Sequence, residues 1–126
     1  MFQTRILYVE DNDDLRESIS MLLEDDPGVA LTTCASGEDA LALYEQGGQW
    51  DVLITDVGLP GLSGIELARE ALARQPRQWV VLCSGYDMRS ELAALGPRAR
   101  SLTKPFELDD LERMLASIAA TLREQP

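Results

Sequence analysis

Strand-like and helix-like segments alternate five times along this chain, and that alternation restricts the fold more than any other feature. The strand-like runs are Ile6-Leu7-Tyr8-Val9, Val29 to Ala35, Val52 to Thr55, Trp79 to Cys83 and Ala99 to Thr103. The first is a continuous apolar run of the kind found in a strand covered on both faces. Successive βα units imply parallel strands joined by right-handed crossovers. The expected fold is therefore α/β: a five-stranded, doubly wound parallel sheet with helices on both faces, without internal repeat or linker.

The helices are legible from caps and spacing. Leu15, Ile19, Leu22 and Leu23 recur at helical intervals, Asp13 reads as the N-cap, and Pro27-Gly28 closes the helix. Ser36-Gly37-Glu38-Asp39 resembles a capping box that leads into Ala40, Leu41, Leu43 and Tyr44. A third helix carries Ile65, Leu67, Ala68, Ala71 and Leu72. The fourth, Arg89 to Leu95, is short and poor in large apolar residues, and Gly96-Pro97 stops it. In the last helix, Leu108, Leu111, Leu115, Ile118 and Leu122 form one apolar stripe, expected to bury in the domain's own core.

Composition then excludes whole classes of function. At 126 residues and 45% hydrophobic content, the chain is one domain with one core. No run approaches the roughly 20 apolar residues of a membrane span and no signal peptide opens the chain, so it reads as cytoplasmic. A net charge of −11 repels phosphate backbones and anionic lipid, which argues against direct nucleic-acid or membrane binding. Cys34 and Cys83 lie in apolar runs and read as small buried hydrophobes. Histidine is absent, so phosphoryl chemistry here would require a carboxylate acceptor.

In open parallel sheets, ligands bind beyond the carboxyl ends of the strands. Glu10 and Asp11 follow the first strand, Asp56 tips the third, Ser84-Gly85 ends the fourth and Lys104-Pro105 ends the fifth, so these side chains should converge. Three carboxylates crowded together repel one another unless a cation neutralises them, and an all-oxygen site suits Mg²⁺. A metal so placed bridges carboxylate and phosphoryl oxygens, while an ammonium and a hydroxyl meet the remaining ones. Singly, each residue has a plainer reading: an acidic pair favoured by a helix dipole, a turn aspartate, a loop hydroxyl, a solvated lysine. Their shared location carries the argument.

With these motifs, Asp56-Val-Gly-Leu-Pro-Gly-Leu-Ser-Gly64 and Lys104-Pro105-Phe106 among them, the chain resembles the receiver domains of bacterial response regulators over nearly its whole length, 1–126. The resemblance implies a flavodoxin-like strand order 2-1-3-4-5 and a phosphorylation-controlled switch rather than an enzyme. It makes Asp56 the phosphoacceptor. Mg²⁺ would be held directly by Asp11, Asp56 and the Gly58 carbonyl, and through water by Glu10. Ser84 and Lys104 would contact the phosphoryl group, with the Lys104-Pro105 bond commonly cis. It further implies a histidine kinase or histidine phosphotransfer protein upstream and an unidentified downstream protein or output domain. Phosphorylation-dependent homodimers are a further family trait, for which Arg98, Arg100 and Arg113 are candidates, with ordinary solvated charges as their equal alternative reading. The chain is equally consistent with a stand-alone receiver and with a segment of a longer protein.

Two positions depart from the family pattern. Ser101 stands where an aromatic switch residue is common, so switching is expected in the loop of Ser84, Gly85 and Tyr86, where glycine eases rearrangement. Gly58, two positions after the acceptor, offers no side chain to screen the phosphoryl group. Gly58 also argues against a haloacid-dehalogenase-like phosphatase, whose general acid–base aspartate stands there. A flavin site would need a phosphate-cradling loop where Glu10-Asp11-Asn12-Asp13-Asp14 stands. A binding module that works without phosphorylation would not require the five site residues to be intact.

Overall fold

Neighbouring residues of each inner strand bury against different helices, and this division organises the molecule. The computed structural model describes residues 3–124. The strands are β1 (Thr4–Val9), β2 (Val29–Cys34), β3 (Val52–Asp56), β4 (Trp79–Ser84) and β5 (Ala99–Thr103). They alternate with α1 (Asp13–Glu24), α2 (Gly37–Glu45), α3 (Gly64–Arg74), α4 (Arg89–Leu95) and α5 (Leu108–Glu124). All pairings are parallel, in the order β2-β1-β3-β4-β5.

Side chains alternate across a sheet with period two. Leu7, Val9, Leu53, Val80 and Leu82 therefore join Ala40, Tyr44, Leu67, Ala68 and Ala71 in the core under α2 and α3. Ile6, Tyr8, Val52, Ile54, Val81 and Cys83 join Ile19, Leu23, Leu111 and Ile118 under α1 and α5. Both faces are covered, which is why the inner strands lack polar alternation. Each fully buried Leu, Ile or Val contributes about 1.5–3 kcal/mol relative to exposure. The edge strand β2 has one neighbour and is half-buried from Val29 to Thr32 and exposed at Thr33 before Cys34 turns inward. Cys34 and Cys83 are buried and unbridged, as expected of small hydrophobes.

Several local expectations are corrected. The N-cap of α1 is Asn12, not Asp13: the Asn12 backbone N–H donates to Glu10 Oε2 at 3.0 Å, and its Oδ1 accepts from Leu15 N at 2.9 Å. That first bond holds Asn12 in extended backbone, the conformation a cap needs, and leaves Asp13 as the first helical residue. Ser36 caps α2 by accepting from Asp39 N at 3.1 Å, but the reciprocal half of the box is not made. The Asp39 side chain is one methylene shorter than glutamate, and the complete capping box closes at Ser63 and Glu66 on α3 instead. β2 ends at Cys34, with Ala35 exposed beyond it. On α5, Leu111 and Ile118 are buried and Leu115 and Leu122 partly so, whereas Leu108 in the first turn is 44% exposed, clear of the sheet.

Candidate functional site

β1, β3, β4 and β5 all end at one edge, and the register of their ladders sets where the polar side chains meet. Asp56 is the last residue of β3 and pairs with Cys83, while Ser84 on β4 pairs with Thr103 on β5. The Lys104 N–H donates to the Ser84 carbonyl at 2.8 Å, and Val57 N donates to the Cys83 carbonyl at 3.0 Å. α3 starts close against β3: a Cβ on Gly64 would lie 2.9 Å from the Asp56 carbonyl carbon and from Val57 Cα, so a side chain here would force the loop after Asp56 outward.

Carboxylate oxygens of Glu10, Asp11 and Asp56 lie within 4.8 Å of one another. Lys104 Nζ is 3.1 Å from Asp56 Oδ1 and 3.9 Å from Glu10 Oε1. Glu10 is buried, Asp56 half-buried and Asp11 exposed, so the cluster opens to solvent on one side. Burial pushes the Glu10 carboxyl up, and the neighbouring Asp11 and Asp56 add to the rise, while the Asn12 N–H and the Lys104 charge oppose it. For Lys104, burial works against the ammonium, but the hydrogen bond to Asp56 and the charges of Asp56 and Glu10 outweigh it and raise its pKa. Beneath them Tyr8 is raised far above the ordinary phenol range by burial, then by the Glu10 charge.

The remaining expected residues are placed as follows. Ser84 is buried at the end of β4, where its Oγ accepts from Tyr86 N at 3.0 Å, joining the strand end to the β4–α4 loop. Gly58 is exposed, its N–H 3.4 Å from Asp56 Oδ1, and a Cβ there would meet nothing within 4 Å. The Lys104-Pro105 bond is cis. Ser101 on β5 is half-buried and borders a cavity of about 350 Å³ shared with Gly85, Tyr86 and Met88. Of the arginines on that side, Arg100 stacks 4.9 Å over Trp79 and donates to the Pro97 and Ala99 carbonyls, and Arg113 pairs with Asp110 at 2.9 Å. Both are already engaged within the chain.

Arg16 was not singled out from the sequence. Its Nη1 donates to the Glu10 carbonyl at 2.8 Å and its Nη2 pairs with Asp13 at 2.7 Å, which clamps the acidic turn onto α1. The i,i+3 spacing of Asp13 and Arg16 announces the ion pair but not the carbonyl contact.

The donor set fits a hard divalent cation. It is entirely oxygen, its three carboxylates carry more negative charge than the Lys104 ammonium balances, and neither cysteine belongs to it. No helix among the described residues is long and apolar enough to cross a membrane.

Comparison with known proteins agrees with this geometry. The family model of the response regulator receiver domain matches residues 6–116. The transcriptional regulatory protein TcrA of Mycobacterium tuberculosis is 34% identical over 119 residues, covering 91% of this chain and 46% of TcrA. FixJ of Azorhizobium caulinodans is 35% identical over 119 residues, covering 90% of this chain and 53% of FixJ. The chain thus spans about half the length of these relatives. Among solved structures, TrrA of Thermotoga maritima in complex with Mg²⁺–BeF superposes with a TM-score of 0.78 at 29% identity, covering 92% of this chain and 99% of TrrA. From its sheet order, its strand-end acidic cluster and these matches, the chain belongs to the response regulator receiver domain family of two-component signal transduction.

Proposed function

We propose that this chain, over 1–126, is a receiver domain that accepts a phosphoryl group on Asp56 in the presence of Mg²⁺ and passes the change to a partner or output domain. Receiver domains are phosphoacceptor switches rather than enzymes, and they work with histidine kinases or phosphotransfer proteins. The observation that carries the reading is the placement of Asp56 at a solvent-open strand end, within 4.8 Å of two further carboxylates and 3.1 Å from Lys104.

In this reading an Asp56 oxygen attacks phosphorus of a phosphohistidine donor. A P–O bond forms as the P–N bond breaks, and the electron pair leaves with the donor nitrogen. Asp11, Asp56 and the Gly58 carbonyl would hold Mg²⁺ directly and Glu10 through water. The bound metal supplies positive charge to the equatorial phosphoryl oxygens, where charge concentrates in such transfers. Lys104 already sits on Asp56 and stays beside the acceptor as the group arrives; Ser84, at the neighbouring strand end, contacts another phosphoryl oxygen. A hydroxyl donates and accepts at once, so Ser84 keeps the Tyr86 N–H as it turns toward the phosphoryl group, and this shared hydrogen bond couples phosphorylation to the β4–α4 loop. Tyr86 is 80% exposed and lines the same cavity as Ser101, so its ring has room to relocate. Amide exchange at Ser84 to Tyr86 should change on phosphorylation, and identical exchange in both states would sink the loop mechanism.

The function is tested by intact-protein mass after incubation with a phosphoramidate donor, with and without Mg²⁺, for wild type and Asp56→Asn. One Mg²⁺-dependent phosphoryl adduct, absent from the variant, is the expected result. No adduct under any condition would point to a module that signals by contact alone.

A further inference from the structure

We infer that Glu38, on the first turn of α2, is a positioning residue for the metal site, its carboxylate holding the far half of the loop that follows Asp56. The inference rests on the reading of that site given above. The near half of the loop, 57–58, is tied to β4 and β3 through Val57 N to the Cys83 carbonyl and Gly58 N to Asp56 Oδ1. Its end is tied to α3 by the Ser63–Glu66 capping box. Between them Leu59 is buried in the core under α2 and α3, and among the described residues the one hydrogen bond from this stretch to another element runs from Leu62 N to Glu38 Oε2 at 3.2 Å. The two segments are pressed together: a Cβ on Gly37 would stand 2.6 Å from the Leu62 carbonyl oxygen, so α2 and the loop share one backbone-to-backbone contact.

Glu38 is free for this task because Ser36 already caps the helix. The plainer alternative is that an acidic residue in a first turn merely favours the helix dipole. The two differ in what they require: the dipole needs charge, whereas the Leu62 N–H needs an acceptor oxygen at that reach. The two near-half bonds hold the N–H groups of Val57 and Gly58, whereas the Gly58 carbonyl belongs to the next peptide, on the side that leads to Leu62; a loosened far half leaves that carbonyl less well placed, and preorganisation lost in this way appears in metal affinity.

Calorimetric titration of Mg²⁺ into wild type, Glu38→Ala and Glu38→Gln tests the idea, with urea denaturation of each chain alongside. Glu38→Ala should weaken Mg²⁺ binding about fivefold, the effect of one lost hydrogen bond. Glu38→Gln keeps the acceptor and should stay within about twofold of wild type on the same scale. Equal weakening in both variants would assign the effect to charge and overturn the inference. Wild-type uptake that Glu38→Ala leaves unchanged would overturn it alone, while a wild-type chain that takes up no Mg²⁺ would overturn it together with the functional reading.

Discussion

The two ends of the sheet treat charge in opposite ways. At the amino end, Asp51 is fully matched: its carboxylate accepts from Arg5 N, Nε and Nη2, and its backbone bonds to β1 and to Trp79. Nearby, the Tyr44 hydroxyl donates to Gln78 Oε1 at 2.7 Å, and the Gln75 side chain bridges Trp50 N and the Gly48 carbonyl. At the carboxyl end, three carboxylates converge on one lysine and the excess is left standing. The same strands run through both ends, so neither the architecture nor its stability demands that excess. A fold can close one edge with balanced pairs and keep the other unbalanced, and the unbalanced edge is where the proposed cation and phosphoryl group would have something to add.

Substitutions at the two ends should separate along this line. The largest effect is expected where fold and site coincide: Gly64→Ala places a methyl against the Asp56 backbone and should destabilise by about 1–3 kcal/mol in urea denaturation, with weaker Mg²⁺ binding as well. Asp51→Ala should lower stability by about 1–2 kcal/mol, because it strips Arg5 of a partly buried charged acceptor, and leave Mg²⁺ affinity unchanged. A shift in metal binding would break the claimed independence of the two edges.

Asp56→Asn should act with the opposite sign. In chelator, removing one of the crowded carboxylates should raise stability by about 1 kcal/mol despite the weaker Lys104 contact. A stability loss equal to that of Asp51→Ala would show that the carboxyl edge is balanced after all. The smallest effect on folding belongs to Gly58→Asn, which has open space for its side chain and should leave stability within about 0.5 kcal/mol. Its readout is phosphoryl lifetime: hydrolysis of the adduct should change severalfold, and equal rates would remove Gly58 from the site's kinetics.

The sequence announced far more of the sheet than of the loops. β3 and β4 are found where the apolar runs predict them, because a strand buried on both faces leaves an unbroken local signal. The same reasoning put Glu10, Asp56, Ser84 and Lys104 at strand ends, and parallel strands bring those ends to one edge. Caps were less legible. Asn12 and Asp13 are both good capping residues, and the choice fell to Asn12 through a hydrogen bond from its own N–H to Glu10, which residue preferences do not encode. The capping box moved from α2 to α3 for a similar reason: one methylene decided which acid reaches back.

What the sequence determined by itself is the α/β alternation, the set of polar side chains at the strand ends and the excess of negative charge, since each follows from local pattern and composition. The tertiary structure alone decided how close the carboxylates stand to Lys104, how Arg16 grips the Glu10 carbonyl, and that Glu38 reaches Leu62 across 24 residues of chain. Those contacts depend on the packing of helices against a twisted sheet, and the distances that packing sets between remote side chains leave no periodic mark along the chain.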